Sequence, residues 1–137
     1  MSTLPPEYKP SAGEDFMNSL QQEYFRQKLL RWRSDLLDDS NETRHHLKEE
    51  SLVEPDLADR ASAETERSLE LRTRDRARKL INKIDKALTR IENGSYGYCE
   101  ETSEPISLMR LEARPIATLS IEAQERHERS EKMRRDD

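Results

Sequence analysis

The sequence predicts a mostly α protein: a long antiparallel coiled-coil hairpin, then a small globular module and a C-terminal helix. Three observations carry this reading. The 137-residue chain is 32% hydrophobic against 39% charged, a balance that suits long, solvent-bathed helices better than a thick core. Its apolar residues recur at helical spacing in two separate runs. Between those runs stands Val53-Glu54-Pro55, and proline disfavours helical geometry in the residue before it.

Residues 1–13 carry Pro5, Pro6, Pro10 and Gly13 and read as an extended lead-in. A helical pattern starts near Glu14. Phe16, Leu20, Tyr24, Trp32 and Leu36 recur at multiples of about four, with Phe25 and Leu29 beside them. The pattern thins after Leu37 while charges continue, and this helix is expected to end near Leu52. Asp56 occupies the position of an N-cap, with Asp59 three residues on, and a second helix should run to about Glu92. In it Leu69, Thr73, Ala77, Leu80, Ile84, Leu88 and Ile91 form a heptad-like seam. Asn93-Gly94-Ser95 ends it.

The hairpin is therefore assigned to residues 14–93, with its tip near 53–61. Its stem holds the stronger apolar stripe and its far end is strongly charged. Residues 94–119 form the module. Tyr96, Tyr98, Ile106, Leu108, Met109, Leu111, Ile116, Leu119 and Ile121 are its candidate core. Residues 120–137 read as a highly charged final helix.

Composition narrows function. A net charge of −5 argues against nonspecific nucleic-acid binding by the whole chain. One cysteine excludes an internal disulfide and a four-thiolate zinc site. No apolar run approaches the roughly 20 residues of a membrane span, and the N-terminus lacks a signal-peptide core. A soluble, monomeric, cytoplasmic protein is expected. No phosphate-binding loop, nucleophile elbow or metal-hydrolase motif is present, so an enzyme is not expected. Trp32, Tyr24 and Phe25 could stack on nucleic-acid bases, but their helical spacing favours a core role.

Three groups of residues could carry function. Asp56 and Asp59 suit a helix start, so capping is the leading reading of their spacing. Arg72, Arg76, Lys79 and Lys83 lie at i, i+4, i+7 and i+11, on one helical face, with Arg74 and Arg78 nearby. Such a stripe can bind phosphates. It can equally be a solvated face paired with Asp35, Asp38, Asp39 and Glu42 of the first arm. Tyr96 to Glu125, finally, looks like a zinc finger with most of its ligands missing. Where Cys-x-x-Cys…Cys-x-x-Cys would stand, the chain has Cys99, Thr102, Ser120 and Ala123. No zinc is expected, and the module is read as zinc-finger-like but metal-free. Packing must then stabilise it, helped by Thr102 and Ser120 hydroxyls bonded to local backbone. Cys99 is either a packed side chain or a redox sensor, with packing favoured.

EPDLADRAS at the hairpin turn, LELRTRDRARKLINKI in the second arm, YGYCE, and RLEARPIATLSIEA together resemble the DksA/TraR family of bacterial transcription factors. The resemblance covers nearly the whole chain. It implies a regulator that binds bacterial RNA polymerase rather than specific DNA sequences. The coiled-coil tip would enter the secondary channel and destabilise promoter open complexes, with the alarmone ppGpp strengthening the effect in the stringent response. The family's tip motif Asp-x-x-Asp-x-Ala matches Asp56, Asp59 and Ala61. The resemblance places Arg72, Arg76, Lys79 and Lys83 toward polymerase and ppGpp. Thr73 stands where an asparagine is common and Gln124 where a lysine is common, which implies weaker ppGpp coupling. Two other readings of a hairpin of this shape are an adaptor docking on another assembly and a transcript-cleavage factor.

Overall fold

A computed structural model describes residues 3–50 and 57–136, with side chains described outside 42–59 and 135–136. Four helices follow in order: α1 (Ser19–Glu50), α2 (Leu57–Asn93), α3 (Leu108–Ala113) and α4 (Ile121–Asp136). No strand forms among the described residues; one isolated antiparallel bridge joins Tyr98 and Pro105. The chain divides into two compact units: residues 30–85, and residues 1–29 with 86–137.

In the unit of residues 30–85, α1 and α2 run antiparallel. The Arg33 guanidinium pairs with Asp85 at 2.8 Å, while Leu37 and Ser40 face Leu71, Arg74, Asp75, Arg78 and Ile81 across a groove. Partner numbers fall as α1 numbers rise. Ala77 and Ile84 of the seam are buried, but Leu69 is 54% exposed. The apolar contact therefore thins toward the helix ends nearer the tip, as the composition of that stretch implies. The expected tip near residues 53–61 lies largely outside the described residues.

The other unit holds the thicker core, built from Phe25, Leu29, Ala87, Tyr96, Ile106, Leu111 and Ala123, all buried. The Tyr24, Phe25 and Tyr96 rings meet at 5.2 and 5.7 Å between centroids. Of the three aromatics whose spacing favours core, Phe25 is buried, and Tyr24 and Trp32 are half-buried. The Tyr96 hydroxyl donates to the Pro115 carbonyl at 2.7 Å, which satisfies the polar end of a buried ring. Glu112 of α3 accepts from Tyr24 and Lys28 of α1 at 2.6 and 2.7 Å. Burial pushes the Glu112 carboxyl up, but these bonds outweigh it and hold the group below its ordinary range.

Chain ends and turns follow local chemistry. Past α2, Gly94 takes φ +84° and Ser95 N–H donates to Arg90 O at 3.0 Å, the six-to-one bond of a Schellman motif. Gly97 has φ +90°, and a Cβ there would lie 3.1 Å from Met17. Only glycine combines that backbone with that approach. Gly97 to Cys99 then pairs with Glu104 to Ile106: Ile106 N–H reaches Gly97 O at 2.7 Å and Cys99 N–H reaches Glu104 O at 2.8 Å.

Three expectations are corrected. The first helix begins at Ser19 rather than near Glu14. Asn18 caps it, its side chain accepting from Gln21 N–H at 2.8 Å, and Met17 at φ +52° cannot continue a helix backwards. Glu14 instead accepts from Tyr8, Ser11 and Asn18, and Phe16 packs edge-on to Tyr98. Second, α3 is an extra helix inside the module, capped by Ser107, whose side chain accepts from Arg110 N–H. Third, Tyr98, Met109 and Ile121 are exposed rather than core. Replacing Asn18 with alanine removes the α1 cap and is expected to destabilise the protein by about 1 kcal/mol. Urea unfolding would read this as a lower midpoint at unchanged slope; an unchanged midpoint would reject the cap.

Candidate functional site

Of the tip residues, Asp56 lies outside the described residues. Asp59 is the third described residue of α2. Its side chain is not described. Ala61 is exposed, and its carbonyl accepts from the Thr65 hydroxyl at 3.1 Å.

Arg72, Arg76, Lys79 and Lys83 are all exposed on α2. At 3.6 residues per turn they fall within an arc of about 60° and span about 16 Å of helix. Among the described residues none of the four makes an ion pair or hydrogen bond. The solvated-face reading needed acids of α1 to neutralise them; Asp35, Asp38 and Asp39 pair with none of the four, and the Glu42 side chain lies outside the described residues. The neighbouring Arg78 behaves differently: it pairs with Asp75 at 3.2 Å within the same helix. The stripe is thus an uncompensated cationic surface, able to take an anion without first breaking an internal pair. Thr73 adds no outward donor, because its hydroxyl bonds Leu69 O at 3.0 Å. Gln124 on α4 donates to Glu128 at 3.2 Å.

The four finger positions come together in the module. Cys99, Ser120 and Ala123 are buried and Thr102 is half-buried. Burial pushes the Cys99 thiol up. The Thr102 hydroxyl and the backbone N–H groups of Ser120, Thr102 and Glu101 outweigh it, bringing the group from 9.0 down to about 6. Ser120 caps α4, its hydroxyl accepting from Ala123 N–H at 3.2 Å, and Thr102 accepts from Glu104 N–H at 3.3 Å. Both hydroxyls therefore bond local backbone as the sequence implies. Two of the residues whose groups lower the thiol, Thr102 and Ser120, stand at positions where metal ligands are missing. The sequence reading missed a further link, His127 of α4 against Glu101. Its members lie 26 residues apart, and no spacing rule connects them.

The family described as DnaK suppressor protein DksA, N-terminal domain, matches residues 21–91. The prokaryotic dksA/traR C4-type zinc finger matches residues 94–129. The RNA polymerase-binding transcription factor DksA of Caulobacter vibrioides is 66% identical over 131 residues, covering 96% of this chain and 92% of that protein. The factor of the same name from Escherichia coli K12 is 47% identical over 115 residues, covering 84% and 76%. The solved structure of transcription factor DksA2 from Pseudomonas aeruginosa superposes with a TM-score of 0.81 at 44% identity, covering 90% of this chain and 94% of that one. A C4 finger needs four thiolates. Only Cys99 of the four positions carries one; Thr102, Ser120 and Ala123 stand at the others. The residues do not fit a four-cysteine zinc ion.

The lowered thiol has a consequence for stability. Between about pH 6 and pH 9 the unfolded chain holds a proton on Cys99 that the folded chain has released. Stability from this group is complete above about pH 9 and is lost as pH falls through about 6. Stability of the wild type relative to Cys99→Ser should therefore rise with pH across that window, measured by urea unfolding at several pH values. A difference that stays flat would reject the donor cage.

Proposed function

The chain belongs to the DksA/TraR family, and from that premise we propose that it regulates bacterial transcription by binding RNA polymerase directly. The relatives at 66% and 47% identity are named RNA polymerase-binding transcription factors, which favours a regulator over an enzyme. The observation that carries the reading is the uncompensated stripe of Arg72, Arg76, Lys79 and Lys83.

A narrow two-helix arm can enter a pore closed to a globular domain. In this reading the arm enters the secondary channel of polymerase. It brings Asp59, with Asp56 and Ala61, close to the catalytic region. There the carboxylates compete for cationic groups and destabilise the open promoter complex. The stripe faces polymerase and supplies cations for ppGpp, where each guanidinium can grip a phosphate with two parallel bonds. Thr73, with its hydroxyl turned onto its own helix, and the uncharged Gln124 make that coupling weaker than a fully charged site would give. The protein acts in the cytoplasm, where polymerase is, and reads no DNA sequence.

The module works without zinc. Its support is the single thiolate together with the donors around it. Elemental analysis is expected to find well under one zinc per chain, and a strong chelator to leave the helical circular-dichroism signal unchanged. Stoichiometric zinc, or a lost signal, would contradict this.

The functional test is transcription in vitro with purified polymerase at a ribosomal RNA promoter. Asp59→Asn should keep polymerase binding and lose inhibition. Lys83→Ala should raise the ppGpp concentration for half-maximal effect by about tenfold, the loss of one charge-assisted bond of roughly 1.5 kcal/mol. Inhibition by Asp59→Asn equal to wild type would sink the tip assignment. Unchanged ppGpp response of Lys83→Ala would sink the ppGpp site. Stimulated cleavage of stalled transcripts would replace the reading with that of a cleavage factor.

A further inference from the structure

α4 carries a face that nothing among the described residues covers. Ile121, Glu122, Glu125, Arg129, Lys132 and Met133 fall within an arc of about 120° on the helical wheel. All six are exposed, Ile121 by 49% and Met133 by 72%. The opposite side fixes the helix to its unit: Ala123 is buried there and His127 meets Glu101. Among the described residues, Glu125, Arg129 and Lys132 make no ion pair or hydrogen bond, although Glu125 and Arg129 are four apart and could pair within the helix.

The order of residues on this face is self-complementary under reversal. When a second α4 is laid antiparallel about position 127, Ile121 meets Met133, Glu122 meets Lys132 and Glu125 meets Arg129. Symmetry makes each contact twice. A parallel pairing would instead set Glu122 on Glu122 and Lys132 on Lys132. Beside Ile121 the apolar surface continues as an open groove of about 710 Å³, lined among others by Phe16, Leu108 and Met109. Its charged lining residues, Glu14, Glu104 and Glu122, are all carboxylates. The opposing segment brings Met133 with Lys132 beside it on the same face, a flexible apolar side chain next to a cation. Methionine fills irregular apolar space well.

We propose that this face is an isologous interface through which two copies of the chain pair by antiparallel α4 helices. The contact closes on itself, so it ends at a dimer. About 18 Å of helix pairing buries less than the roughly 1,000 Å² of a stable interface. Exposed ion pairs contribute about 0.2–1 kcal/mol each. The dimer is therefore weak, and it forms with rising concentration and low salt. Dilute protein remains the monomer that the sequence implies and that channel entry requires. The inference does not depend on the polymerase reading.

The test is sedimentation velocity of the full chain over a wide concentration range in low-salt buffer. Wild type should show a sedimentation coefficient that rises with concentration, and high salt should remove the rise. Glu125→Arg alone and Arg129→Glu alone should each lose it. An equimolar mixture of the two single variants should regain it, because each supplies the charge the other needs, and the double swap should regain it as well. Circular dichroism checks that each variant keeps its helices. Wild type that stays monomeric throughout overturns the proposal. So do single variants that associate like wild type, including the case where they lose action on polymerase instead. A mixture that stays monomeric also overturns it.

Discussion

Scarce apolar surface governs how this chain can be built. Its hydrophobic residues suffice for one closely packed core, and that core gathers around Phe25, Tyr96, Ile106 and Leu111. The unit of residues 30–85 has far less to bury. Ala77 and Ile84 are covered, Leu69 and Leu71 are not, and the Arg33–Asp85 pair crosses between helices at the surface. A two-helix arm with so thin a seam leaves most of its side chains in water. Most of its surface is thus open to charges, and an exposed cation there carries no desolvation cost. Sparse packing and an available cationic stripe follow from the same composition.

The module meets a related difficulty by a different route. Small units with little core are commonly held by metal or disulfide. Here one sulfur remains. A zinc ion would hold four side chains at fixed distances from a point charge. Two hydroxyls at ligand positions bond local backbone instead: Thr102 accepts from Glu104 N–H in the turn, and Ser120 accepts from Ala123 N–H at the start of α4. Losing the ligands leaves the turn on its own backbone bonds, and the helix start on the hydroxyl of Ser120, which stands at one of the ligand positions.

Much of the fold was legible in the residues, and the reasons differ by element. The end of α2 was readable because glycine at that position has one main use, and the Schellman bond confirms it. The start of α1 was misread because periodicity sees Phe16 as part of the stripe. It cannot see that Glu14 is occupied by Tyr8 and Ser11, or that Asn18 is the better cap. Met109 and Ile121 looked like core on hydrophobicity alone, yet α3 and α4 turn them outward. The basic stripe was readable in position but not in state. Spacing placed four cations on one face, and only the structure could say that none of the described acids of α1 answers them.

That difference in state separates two charged faces which composition makes look alike. The α2 stripe is of one sign. A second copy of it would be repelled, so its partner must be anionic or carry anions of its own. The α4 face is acidic in its first half, Glu122 and Glu125, and basic in its second, Arg129 and Lys132, with Ile121 and Met133 at its two ends, so reversal maps it onto its complement. Its best-matched partner is another copy. Charge pattern alone, read along helices whose opposite sides are fixed by packing, therefore assigns the two faces to different kinds of partner. The two surfaces share no residue, so each can be altered by substitution without changing the other.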